Sequence, residues 1–217
     1  MKKKPLLKIT LFFKLIKVLI LAFIFIPGAF SKDKLSKNKK EIVGSIERQK
    51  DRLIEISDKI WEAAETSLQE FKSSKYLSDY AEENGFTVER GVADIPTAFT
   101  ATYGSGRPYI GIMGEYDANA GISQKRKPTK ETRIKGGAGH GCGHNLFGTA
   151  SLGAAIAIKE LIEKGEISGT VIFFGTPAEE TIFAKVWMVR AGLFDDLDVC
   201  MDWHPGDNTE ASTQSSK

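Results

Sequence analysis

Three histidines occur in this 217-residue chain, His140, His144 and His204. Two stand in Gly139-His140-Gly141-Cys142-Gly143-His144-Asn145, and the third in Asp202-Trp203-His204-Pro205. Between them lies Thr176-Pro177-Ala178-Glu179-Glu180, and upstream Asp117 follows Gly114-Glu115-Tyr116. Imidazole, thiolate and carboxylate together suit zinc or manganese better than magnesium or calcium. Adjacent glutamates suit a division of labour, one binding metal while the other takes a proton from water. Glycines flanking Cys142 let the backbone approach an ion closely. Taken singly, each piece has an ordinary reading: a polar loop, a solvated Glu pair, a structural histidine before proline, an aspartate in a turn. Their conjunction carries the expectation of a metal site.

The elements that must hold these residues follow from periodicity and punctuation. Apolar residues at Ile42, Ile46, Leu53, Ile56 and Ile60 recur at helical spacing and predict a helix from about Lys40 to Ala64. A second is expected over about 68–84, stopped by Gly85, and a short strand near 86–89. Segments 98–103 and 109–114 read as strands joined through Gly104-Ser105-Gly106-Arg107-Pro108, a hairpin signal. A polar loop, 117–143, precedes a helix over Leu146–Lys164 ending at Gly165. A buried-type strand (170–175), a helix (185–191) and a last strand (199–203) complete an α/β alternation. The expected fold is a three-layer αβα domain with a largely parallel mixed sheet. Asp117, the Glu pair and His204 then fall past the carboxyl ends of predicted strands, the edge where such sheets build sites. Cys142 and His144 fall just before a helix N-terminus, whose partial charge favours a thiolate, with Asn145 as a candidate cap.

The N-terminus reads as a targeting segment. Residues 1–31 carry six lysines and no acid, an apolar run from Val18 to Ile26, the breaker Pro27-Gly28, and Ala29-Phe30-Ser31 as a cleavage site. The run falls short of the about 20 residues a span needs. An uncleaved anchor is the alternative, and membrane contact is expected only through residues 1–31. Either way the body is expected to be exported, periplasmic or extracellular. The formal net charge of +2 includes those lysines, so the remainder is net acidic and offers no electrostatic reason to expect nucleic acid. Residues 32–40 read as a linker, 41–206 as the domain and 207–217 as a polar tail. The two cysteines, Cys142 and Cys200, could pair in an oxidising compartment.

These residues resemble the zinc-dependent aminoacylase and carboxypeptidase superfamily. The subgroup they are most similar to holds aminobenzoyl-glutamate utilisation protein B, N-acyl-amino-acid amidohydrolases and plant indole-acetyl-amino-acid hydrolases. The resemblance rests on Gly114 to Ala118, Gly139 to Gly148, Pro177 to Glu180, Met188 to Gly192, Phe194 to Asp196 and Trp203 to Pro205. It implies a zinc-exopeptidase-like fold and two divalent ions, Zn2+ or Mn2+. Cys142, His144, Glu180 and His204 would be metal ligands and Glu179 the general base. Asp117 would support the ligands, and His140 would have at most a supporting or substrate-contact role. The implied reaction is hydrolysis of the amide bond of N-acyl or N-aroyl amino acids or short peptides, with full-length relatives homodimeric.

Two departures stand out. Glycines that usually follow the Glu pair are replaced by Thr181-Ile182-Phe183-Ala184, and an Ala-Leu-Pro by Ala118-Asn119-Ala120. The resemblance also implies a dimerisation domain and one more histidine ligand beyond His204, so this stretch corresponds to an incomplete, N-terminal portion. Two alternatives stand beside the enzyme: a non-catalytic metal-binding fragment, and a membrane-tethered α/β binding module without metal.

Overall fold

Residues Gly169–Gly175 form the strand around which the sheet is built. The computed structural model describes residues 35–208; residues 1–34, which hold the expected targeting segment, and residues 209–217 lie outside them. Among the described residues there are five strands: β1 (Thr87–Arg90), β2 (Phe99–Ser105), β3 (Tyr109–Gly114), β4 (Gly169–Gly175) and β5 (Val199–Met201). Their order is β1-β2-β4-β3-β5. β4 runs antiparallel to β2, with Phe99 opposite Gly175, and parallel to β3, with Met113 opposite Phe174. β1 is antiparallel to β2, and β5 is parallel to β3. The fold is α/β with a mixed sheet.

The expected hairpin of β2 and β3 does not form, because β4 lies between them. β4 is apolar on both faces and almost wholly buried, so a central place costs it least. Gly104 and Gly169 make the β2–β4 contact possible: a Cβ on Gly104 would meet the Gly169 carbonyl oxygen at 2.2 Å.

Among the described residues four α-helices flank the sheet: α1 (Lys37–Ala63), α2 (Phe71–Glu83), α3 (His144–Glu163) and α4 (Ala184–Arg190). α1 starts earlier than its periodicity implies, because the Ser36 hydroxyl accepts the Lys39 N–H and caps it. Residues 37–40, expected in the linker, are therefore helical. α2 is capped from a distance: the Glu65 carboxylate accepts the N–H groups of Lys72 and Ser73 and the Ser73 hydroxyl.

One face of the sheet (Phe99, Ala101, Ile112, Val171, Phe173) packs on Ile56 and Ile60 of α1, Leu77 and Ala81 of α2, and Leu152 and Ile156 of α3. The other face, with Phe174, packs on Ala184 and Met188 of α4 and on Phe194 and Leu197. Each of the larger side chains among these stabilises the fold by roughly 1.5–3 kcal/mol. Because β3, β4 and β5 are parallel, the chain leaves all three at one edge, carrying Asp117, Glu179 with Glu180, and His204 to the same place.

Candidate metal centre

His144 is the hub. It is the first residue of α3, 1% exposed. The helix begins there because Gly143 adopts a left-handed backbone (φ 80°) and takes the cap position. Asn145 is therefore not the cap; its side chain donates to the Ser57 hydroxyl on α1 at 2.9 Å, pinning the start of α3. Gly148, one turn on, lets α3 press against the chain leaving β3: a Cβ there would lie 2.5 Å from the Glu115 carbonyl oxygen.

That contact sets the imidazole. His144 Nδ1 lies 2.9 Å from Asp117 Oδ1, which fixes the ring's orientation. The other Asp117 oxygen accepts the Glu180 N–H at 2.9 Å and the Ser67 hydroxyl at 3.2 Å. Asp117 is thus a support that holds both His144 and the Glu pair. His144 Nε2 points the other way and is buried without a hydrogen-bond partner among the described residues. Around it stand Glu115 Oε2 at 3.0 Å, Glu180 Oε1 at 3.9 Å and Glu179 Oε2 at 4.0 Å. Ligand atoms of Cys142, His144 and His204 lie within 4.8 Å of one another, as do those of Glu115, His144 and Glu179.

Asp117 and Glu115 hold His144, in the metal-free protein, well above the usual histidine range, at about 10, despite its burial. Burial pushes the Glu179 carboxyl up, with Glu115 and Glu180 adding to the effect. The expected Cys142 thiolate is not favoured in the metal-free site. Hydrogen bonding to the Glu180 carboxylate and burial push the thiol up to about 11, outweighing the helix terminus. A bound cation would reverse that balance. Cys142 and Cys200 are both free thiols, so no disulfide ties them.

His140 does not join the converging atoms. It is 5% exposed, its Nε2 is 3.1 Å from the Ile60 carbonyl at the end of α1, and burial lowers it to about 4. His204 is the exposed member, with its ring edge-on to His144 at 5.5 Å between centroids.

Sequence reasoning gave no role to several residues that shape the site. Glu115 accepts from Lys185 Nζ through Oε1 and faces His144 with Oε2. The Asn119 amide accepts the Gly141 N–H at 3.1 Å and donates to Cys142 Sγ at 3.8 Å, holding the cysteine turn. Glu70 accepts the Ala178 N–H at 2.9 Å and the Thr97 hydroxyl at 3.0 Å. It thereby holds Ala178, next to Glu179, in a left-handed conformation (φ 56°). Only Glu115 left a signal: it stands two residues before Asp117 in a chain leaving a strand, so both can reach one ring.

Residues 111–215 match the sequence model of Peptidase family M20/M25/M40. This segment is therefore similar to the M20 peptidase family. Over 162 residues the chain is 48% identical to a component of the p-aminobenzoyl-glutamate hydrolase of Escherichia coli, covering 74% of this chain and 34% of that protein. A mouse Xaa-Arg dipeptidase is 28% identical over 197 residues, 85% of this chain and 42% of the relative. Among solved structures, the YXEP protein of Bacillus subtilis, described as a dinuclear metal binding peptidase from the M20 family, superposes with a TM-score of 0.59 at 25% identity. The match covers 69% of this chain and 41% of that one. The chain thus spans about a third to two-fifths of the length of these relatives.

Proposed function

We propose that this chain carries the metal-binding half-site of an amidohydrolase acting on N-acyl or N-aroyl amino acids or short peptides. The carrying observation is His144: its Nδ1 is held by Asp117, and its Nε2 is buried and unpartnered where Cys142, His204 and the Glu pair converge. In place of the imidazolium proton, a divalent cation is the partner that its neighbouring carboxylates and thiol suit. Cys142, His144, Glu180 and His204 are the proposed ligands of a dinuclear site, with zinc or manganese as the ions. The hydrolase and dipeptidase relatives support the substrate class.

Bound metal would supply Lewis acidity toward the amide carbonyl. The chain's own residues do the rest. Glu179, raised by burial, takes a proton from the attacking water and returns it to the leaving amine. Asp117 keeps the His144 tautomer and ring angle fixed, and Asn119 and Glu70 hold the two turns that present Cys142 and Glu179. We also infer export through residues 1–31, checked by N-terminal sequencing of the secreted protein, which should begin at Lys32. Homodimerisation of the longer protein is a further inference from the resemblance.

The test combines metal analysis with hydrolysis of p-aminobenzoyl-glutamate. Glu180→Gln and Cys142→Ser should lower metal content. Glu179→Gln should keep the metal and cost about 10²–10⁴-fold in rate wherever turnover is measurable. Equal metal loss in the Glu179 and Glu180 variants would refute the split of roles. A second reading, metal binding without turnover, is favoured by the exposure of His204 and Trp203, which leaves one side of the site open. Metal uptake with no hydrolysis by the isolated chain selects it.

A further inference from the structure

Glu115 lies outside the ligand set proposed above, and its surroundings are those of a ligand. It leaves the carboxyl end of β3 and is 2% exposed. Lys185 engages Oε1 only. Oε2 stands 3.0 Å from His144 Nε2, and in the metal-free protein the imidazolium proton joins them. A cation that displaces that proton finds two buried lone pairs aimed at the same space, with no other hydrogen-bond partner for either atom among the described residues. A Glu179 oxygen lies within 4.8 Å of each, so three ligand atoms from three segments meet.

Carboxylate-rich donors suit manganese over zinc. The Cys142, His144 and His204 set is the softer one. One lone pair on Nε2 cannot serve an ion in each set at once.

We propose that Glu115 is a direct metal ligand, sharing an ion with His144 Nε2 in a set that favours manganese. Glu179, farther from Nε2 at 4.0 Å, stays available for proton transfer. The inference rests on the metal reading of this site and adds to it both a ligand and a metal preference.

The test uses the full chain, with Mn2+ binding followed by loss of the free-ion EPR signal and Co2+ binding by its thiolate absorption band. Glu115→Asp keeps the charge but withdraws the carboxylate by one methylene. It should weaken Mn2+ binding at least about ten-fold while the cobalt–thiolate band persists, which shows that the fold and Cys142 are intact. Lys185→Ala should leave Mn2+ affinity nearly unchanged. Glu115→Asp binding Mn2+ as tightly as the parent overturns the proposal. So does a Lys185→Ala loss as large as that of Glu115→Asp, which would mean that Glu115 acts through its ion pair. A parent chain that binds neither Mn2+ nor Co2+ defeats the metal reading itself, a separate result.

Discussion

Glu70 shows how a single buried carboxylate can serve the site without touching it. It is 0% exposed, and burial holds its carboxyl above the ordinary range, with Asp117 contributing. The folded state therefore favours the protonated form. That contribution is full below the unfolded value of about 4.3 and is lost as pH rises through the raised native value. Glu70→Gln should flatten the fall in urea midpoint with rising pH just above that range. An unchanged slope would show that other groups set it. The ligand residues were legible because their types and spacing form motifs. Glu70 and Asn119 were not, because each acts on a segment distant in sequence, Glu70 on Ala178 and Asn119 on Gly141 and Cys142. Only the folded chain makes them neighbours.

Among the elements, α2 depends most visibly on one side chain. Its N-cap position, Glu70, makes no side-chain cap bond. Glu65, from the turn after α1, accepts two backbone N–H groups of the first turn instead. A charged acceptor at a helix N-terminus satisfies orphan donors and complements the dipole. Glu65→Ala should cost about 1–2 kcal/mol of stability, read from equilibrium unfolding. An effect below about 0.5 kcal/mol would mean that water replaces the carboxylate. Helices and strands were largely legible from periodicity, with ends displaced by a few residues. Phe183 stands in the stretch where the resemblance implies glycines, and it takes a left-handed backbone (φ 52°) at the cap of α4 while 54% exposed. The backbone there requires what glycine gives freely.

For the molecule as a whole, the weak side is the β5 edge. β5 pairs with β3 on one side, and Val199, Met201 and Trp203 are 44%, 44% and 42% exposed. Next to it, Leu53, Ile54, Leu146, Ala150 and Trp203 line an apolar groove of about 360 Å³. An unpaired strand edge beside apolar surface drives association. The isolated chain should elute as oligomers or aggregates. Met201→Lys, a charge on the edge, should shift it toward monomer in size-exclusion chromatography. A monodisperse parent chain would refute this. The α/β class was legible from the alternation of elements. The strand order was not, because the short β2–β3 connection is a local signal and the pairing of β4 with both strands is not.

That misleading signal is also a physical force on the chain. Synthesis delivers β2 and β3 well before β4, and short hairpins close within about 1–10 μs. Any hairpin closed in that interval would have to reopen before residues 169–175 could take their place between the two strands.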